Sequence, residues 1–490
     1  MRILLNKYFG IILFICFVSI SAKAQETQED IRNEMEQYIH AAPFKMPIPE
    51  LPAIPQRIDS ITAYGAIGDG ETLNTKAIQQ AINTCADNGG GKVVIPAGLW
   101  LTAPIELKSN IELHLDEGAI LLFTKDHTLF PLITTGGHKY AVMSPIYGYK
   151  LHDIAITGSG IINGSGDSWR PLKKSKATDG QWKNVQKSGG VVSSDGTMWW
   201  PSDNAMNGED YLKKLKKKGK KATADDYLPA RDYLRPYMVL LTDCNKVLID
   251  GPTFMNSPKF GFVPLYCTNL VVRNLKINNE WYAQNGDGMD ISNCKDVVIY
   301  KCTVNAGDDG ICMKSARSSS DTSDKASLQN IVIADCKVYH AHGGFVIGSN
   351  TDGGMENISV KNCSYINTDV GIRVKSDRTK GGLVHKIFID GIYMNNIQND
   401  AIAFDSYYEQ KNPNRNPMPV TRTTPLFQDF YFSHIYCASA GKAISITGLP
   451  ESPVNHIYFN NVNIHADKGN SSVDATNIIF NQVKVNGEPL

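Results

Sequence analysis

The chain has no excess of either charge: 49 lysines and arginines face 49 aspartates and glutamates over 490 residues. Without a net field there is no general means of gathering nucleic acid or a membrane surface, so neither is a predicted partner. Beyond residue 24 no run is apolar for long enough to span a bilayer. The ten cysteines match neither a zinc pattern nor a compact disulfide framework. The glycines at Gly65 and Gly68 lack a strand–glycine–helix unit with a following lysine, which excludes a nucleotide loop. Nothing therefore calls for a cofactor or a metal. Oligomeric state has no signature in the sequence.

The N-terminus reads as a targeting segment. Arg2 and Lys7 precede an apolar run from Ile11 to Ile20, and Ala22-Lys23-Ala24 is a small-x-small cleavage site. The pattern predicts a signal peptide over residues 1–24 and an exported protein, periplasmic or extracellular. Cys16 lacks the preceding small residue of a lipoprotein site. Residues 25–56 read as one short polar helix and an extended linker carrying Pro43, Pro47, Pro49, Pro52 and Pro55. Residues 57–490 form the predicted catalytic domain. At its start, Asn74-Thr75 are N-cap candidates for a helix with Ala77, Ile78, Ala81, Ile82 and Cys85 on one face, stopped at Gly89–Gly91. One helix before a long series of strands predicts a cap over the end of a stack.

From Ile111 onward short strands recur at regular intervals, separated by turns rich in Asn, Gly and Asp. The Asn-Ile pairs at Asn330 and Asn357 are 27 residues apart. A period in the twenties, built of strands without helices, predicts an all-β parallel β-helix. GMDIS (288–292), GICMK (310–314), GFVIG (344–348), GIRVK (371–375), AIAFD (401–405) and AISIT (443–447) register on one another. Their second and fourth positions are all apolar and predicted to point inward. Their third and fifth positions point outward, with neighbouring strands about 4.8 Å apart. Residues scattered over about ninety positions thus fall on one patch: Asp287, Asp290, Asp308, Asp309, His342, Arg373 and Lys375. The cysteines in the mature chain number nine, so at least one is unpaired. Cys244, Cys267, Cys294, Cys336 and Cys363 sit at similar points of the repeat and are predicted to stack as small buried residues rather than as disulfides.

Two stretches interrupt the period. Residues 165–236 hold Trp169, Trp182, Trp199, Trp200 and a basic run over 213–221; residues 409–425 are rich in Asn and Pro. Insertions in a solenoid emerge on one face and often border the binding groove. The tryptophans suit packing of the insertion better than stacking on sugars, and the basic run suits a solvated helix better than a polyanion site.

The patch carries chemistry. Cleavage of a glycosidic bond needs one carboxylic acid for the leaving oxygen and a carboxylate to activate water or attack. Crowded aspartates can supply both, because mutual repulsion keeps a proton bound. Arginine's planar fork suits a carboxylate, so Arg373 and Lys375 point to a uronic acid substrate. Asp290 supports or contacts substrate beside Asp287, and Lys314, outward on the same face, is a further predicted substrate-binding residue. A calcium site and a lyase are the rival chemistry.

Four ordered blocks, Asn285-Gly286-Asp287, Gly307-Asp308-Asp309, Ala341-His342-Gly343 and Arg373-Val374-Lys375, resemble the signature of glycoside hydrolase family 28, the polygalacturonases. Gly286 and Ala341 depart from the family pattern without touching an ionisable group. The resemblance spans roughly residues 57–480 and implies a right-handed parallel β-helix. It implies that Asp308 is the general acid, that Asp287 and Asp309 activate water, that His342 lies beside the acid and that the anomeric centre inverts. Arg373, Lys375 and a following tyrosine, Tyr407 or preferably Tyr408, would bind galacturonate on the leaving-group side. The expected substrate is a pectic polysaccharide or oligogalacturonide, cleaved by exo action if residues 165–236 and 315–327 wall off one end of the groove. A rhamnogalacturonan or xylogalacturonan hydrolase, a pectate lyase and a non-catalytic β-helix carbohydrate-binding protein are the alternatives.

Overall fold

The computed structural model of the chain describes residues 27–136, 139–217, 221–317 and 326–490. The signal-peptide reading of residues 1–24, Cys16 included, lies outside them, as do parts of the 213–221 and 315–327 segments.

From Ile58 onward the chain winds through parallel strands, each paired with its equivalent one turn later. One sheet stacks Phe262–Leu265, Met289–Ser292, Asp309–Lys314, Gly343–Ile347, Ile372–Lys375 and Ile397–Asp405. A second stacks Asn245–Asp250, Thr268–Arg273, Lys295–Tyr300, Leu328–Ala334 and Met355–Lys361. A third stacks Thr253–Met255, Lys276–Asn278, Thr303–Asn305, Lys337–Tyr339 and Ser364–Ile366. This is the parallel β-helix that the period predicts. The register also agrees: Met289, Ile311, Phe345, Ile372, Ile402 and Ile444 are successive partners, buried in one continuous core.

The turns explain the Asn-rich punctuation. Asp296, Asn330 and Asn357 each hold a left-handed backbone, with φ of 56, 61 and 57°. Asn and Asp tolerate that conformation better than other residues with side chains. They also bond along the stack: the Asn330 amide donates to Asp296 at 2.8 Å, and the Asn357 amide to Asn330 at 3.1 Å. The cysteines stack too, but in two columns rather than one. Cys244, Cys267 and Cys294 immediately precede the second sheet; Cys302, Cys336 and Cys363 precede the third. All nine described cysteines are free and buried. Their thiols donate to main-chain oxygens, such as Cys267 to Leu241 at 3.3 Å and Cys336 to Ala334 at 3.2 Å.

The N-terminal segment is not a free linker. The helix Gln28–His40 lays Ile31, Met35 and Ile39 on Leu248, Val271, Val298 and Val332, the outward residues of the second sheet. The proline-rich stretch follows the same surface, with the Ala53 amide donating to Asp153 at 2.8 Å. A second helix, Thr75–Asp87, buries Ile78, Ala81, Ile82 and Cys85 in the main core. Asn74 occupies its N-cap position without capping it; the side chain bonds instead to the Ile67 main chain. Among the described residues no helix is long and apolar enough to cross a membrane.

Between Ile161–Asn163 and Val239–Thr242 the chain leaves the solenoid. Helices Asp179–Lys187 and Asp203–Lys217 and a small antiparallel sheet fill this stretch. Trp182 and Trp199 pack with Leu172, and Trp169 stacks on His127 at 3.4 Å, so these three tryptophans hold the insertion together.

Candidate active site

The register that aligns the strands also aligns the residues before them. Tyr237, Phe260, Asp287, Asp309 and Gly343 form one column along the solenoid; Lys259, Gly286, Asp308, His342 and Asp369 form the next. Asp287, Asp308 and Asp309 each bring a carboxylate oxygen to within 4.8 Å of the others. The turns there are tight. A side chain on Gly307 would strike the Ala283 main-chain oxygen at 2.4 Å.

The carboxylates are not equivalent. Asp287 and Asp309 are almost fully buried, whereas the Asp308 side chain keeps 17 % of its surface. Burial pushes the Asp287 carboxyl well above the usual range, and the neighbouring Asp290 and Asp308 add to it. Burial pushes Asp308 the same way, but the His342 ring, with Lys375 and Lys314, outweighs it and holds the group down to about 2. A proton retained by the cluster therefore rests on Asp287 rather than on Asp308.

His342 is fixed from both sides. Its Nδ1 lies 3.0 Å from Asp308 Oδ1, and its main-chain amide donates to the Asp308 oxygen at 2.7 Å. On the other side Lys176 Nζ is 2.9 Å from Nε2. An ammonium only donates, so Nε2 is the acceptor and Nδ1 carries the hydrogen toward Asp308.

Among the residues predicted to bind substrate, three are placed differently from the expectation. Lys375 is 4 % exposed, and its ammonium lies 2.7 Å from Asp309 Oδ2. It is already engaged within the protein, by a carboxylate of the cluster. Asp290 points outward from its strand yet is fully buried, because outward positions here are covered by their neighbours. It is ion-paired with Lys314, which also lies 3.5 Å from Asp287. Arg373 lies next to the site: a Cβ on Gly343, the register partner of Asp309, would meet the Arg373 stem at 3.5 Å. Among the described residues it has no carboxylate partner, and its guanidinium lies 5.2 Å from the Tyr408 ring. Tyr408 also faces Lys375 at 4.7 Å, whereas Tyr407 turns away to Arg378 and Arg415.

Three further cations border the cluster. Lys176 and Arg235 come from the insertion, where no period exists to place them. Arg235 donates to the Gln284 oxygen at 3.0 Å and to Asn285 at 2.8 Å. Lys259 was within reach of the register, one turn before Asp287. The three clustered oxygens are close enough to share a cation. Lys375 and Lys314 already occupy that role, and calcium takes about six to eight oxygen ligands, so the donor set does not fit it.

A solenoid groove with an acid cluster, a tethered histidine and a free arginine defines a glycoside hydrolase of the parallel β-helix class. The chain belongs to Glycosyl hydrolases family 28, whose profile matches residues 179–484. It is similar to the exo-poly-alpha-D-galacturonosidase of Dickeya chrysanthemi, with 28% identity over 88% of this chain and 71% of that one. A probable polygalacturonase of Vitis vinifera is 25% identical over 83% of this chain and 74% of its own length. The crystal structure of a hyperthermoactive exopolygalacturonase from Thermotoga maritima superposes with a TM-score of 0.72 at 25% identity, covering 94% of this chain and 97% of that one.

Proposed function

We propose that this enzyme hydrolyses the α-1,4-galacturonosidic bonds of polygalacturonate and pectic oligomers from the chain end. The observation that carries the reading is Arg373, a guanidinium with no ion-pair or hydrogen-bond partner among the described residues, one turn beyond His342 and the clustered aspartates. It provides for a uronate at the place where the bond is cut. The Dickeya and Thermotoga relatives support the substrate and the end-directed action.

Asp308, the most exposed of the three, protonates the leaving oxygen. The proton held by Asp287 in the free enzyme passes to it when substrate excludes water and changes the local field. Asp309 and the deprotonated Asp287 then orient and deprotonate the attacking water. Lys375 holds the Asp309 carboxylate in place. The product leaves with inverted configuration. The spacing favours a second reading. Oxygens within 4.8 Å are closer than the roughly 6.5–9.5 Å between carboxyls of most inverting enzymes and nearer the roughly 5–5.5 Å of retaining ones. Proton NMR of the first product formed separates the two: the β anomer marks inversion and the α anomer retention. Digestion of long polygalacturonate tests the end-directed action, with mono- or digalacturonate expected from the start and an early ladder of oligomers contradicting it. Unsaturated uronide in the product would replace hydrolysis with a lyase reaction. Export with cleavage after Ala24 completes the reading, and N-terminal sequencing of the secreted protein checks it.

A further inference from the structure

Lys259 lies on the side of the acid cluster away from Arg373. It stands in the same column as Asp308 and His342, two turns before Asp308. Its half-buried ammonium sits 5.2 Å from the Phe260 ring and 5.4 Å from the Tyr237 ring, which are stacked on each other at 4.9 Å. The other lysines around the cluster are all engaged. Lys314 has Asp290, Lys375 has Asp309, and Lys176 has His342. Among the described residues Lys259 has neither an ion-pair partner nor a hydrogen-bond acceptor. Burial pushes it down to about 8, with Arg235 adding to the shift and Asp287 and Asp290 opposing it. A half-buried cation that no protein anion neutralises, and that still reaches the surface beside a reacting cluster, is open to a ligand that supplies the missing charge.

The placement matches that of Arg373. Lys259 and Arg373 have neither an ion-pair nor a hydrogen-bond partner among the described residues, and they flank the carboxylates along the solenoid. Their strands are separated by four spacings of about 4.8 Å, with the reacting aspartates on the two turns after Lys259. A polymer lying along the solenoid, with one acidic sugar on each side of the cut bond, presents one carboxylate to each. Arg235 is turned instead toward the Gln284 oxygen and Asn285, with one hydrogen bond to each.

We propose that Lys259 binds the carboxylate of the sugar on the non-leaving side of the cut bond, so that the enzyme demands a uronate on both sides of it. The proposal rests on the polygalacturonate reading above. Its test uses oligogalacturonides carrying one carboxyl-reduced, neutral unit placed either just before or just after the bond that is cut. Lys259→Met is expected to lose roughly 10–100-fold in kcat/KM on the fully acidic oligomer, the scale of a hydrogen bond to a charged group. It is expected to lose little on the oligomer whose non-leaving unit is neutral, which the wild type itself cleaves poorly. Lys259→Arg retains the wild-type preference, and equal thermal midpoints for both variants show an intact fold. Equal losses on all three substrates overturn the assignment, leaving Lys259 to tune the acid cluster. A penalty that vanishes only when the leaving unit is neutral overturns it as well. Failure of the wild type to cleave any galacturonide overturns the hydrolase reading beneath it, and the inference falls with that reading.

Discussion

Burial works against Asp287, and stability and function part there. The side chain is 3 % exposed and its Oδ1 has no hydrogen-bond partner. Its carboxyl is pushed up by burial, then by Asp290 and Asp308. A carboxyl raised in the folded state costs stability only above its unfolded value, near 3.9. The cost grows with pH up to the raised value and disappears in acid, where both states are protonated. Asp287→Asn removes it. The variant is expected to gain on the order of 1–3 kcal/mol at pH 7, the cost of an unsatisfied buried group. That gain should shrink toward pH 4 in denaturant unfolding. Activity should fall roughly 10²–10⁴-fold as water activation is lost. Asp308 has the opposite sign: held at about 2, it contributes stability above 3.9 that is lost as the pH falls through 2. Lys176 acts one step further out, as a positioning residue for His342. Lys176→Met leaves Nε2 without its donor while the ionised Asp308 still accepts from Nδ1–H, so imidazole nitrogen NMR should show a shifted Nε2 signal and an unchanged Nδ1–H tautomer. A loss of about tenfold in kcat should accompany it, about 1.4 kcal/mol of barrier, with Lys176→Arg restoring both. An unchanged Nε2 signal in the methionine variant would remove the role.

At the scale of strands and turns, the sequence was readable wherever a period exists. Inward positions such as Met289, Ile311 and Phe345 could be registered because only apolar residues tolerate that face, and the same register brought Asp287, Asp309 and Gly343 side by side. Alternation gives direction but not exposure. Asp290 and Cys312 point outward and are nonetheless buried, so the substrate contact expected of Asp290 became an internal pair with Lys314. The cysteines were recognisable as a stack, but which turn each belonged to depended on loop lengths that vary between repeats. The turn residues carry a separate signal. Asn330 combines a left-handed backbone with bonds to Asp296 and Asn357. Asn330→Ala should cost the conformational penalty of about 1–2 kcal/mol plus the lost bonds. Asn330→Gly keeps the conformation and loses only the bonds. The alanine variant should therefore unfold at lower denaturant than the glycine variant, and the reverse order would show that the ladder, not the backbone, selects asparagine.

The whole molecule adds what no repeat can announce. The insertion over 165–236 has no period, so the sequence marked its position but not that Lys176 would touch His342 or that Arg235 would bond Asn285. It is pinned to the solenoid by Arg170, a buried guanidinium that donates to the Ser257 oxygen and Asn256, each at 2.9 Å, and to Glu280 at 2.6 Å. These partners lie on the turns at and before the acid cluster, on the side of the groove opposite Arg373. A wall built there by the insertion would stop a polymer from running through and make the sugar nearest it the chain end. If the wall sets the mode of attack, loosening its pin should change the products before it changes the chemistry. Arg170→Ala leaves Glu280 without its cation and the insertion held by fewer bonds, while Asp287, Asp308, Asp309 and Arg373 keep their own supports. Polygalacturonate digested by this variant should yield longer oligomers early, where the wild type releases short units, with the rate on trigalacturonate largely retained. A product pattern identical to wild type in a folded variant would mean that end-directed action does not depend on this docking, and the wall would have to be sought elsewhere along the groove.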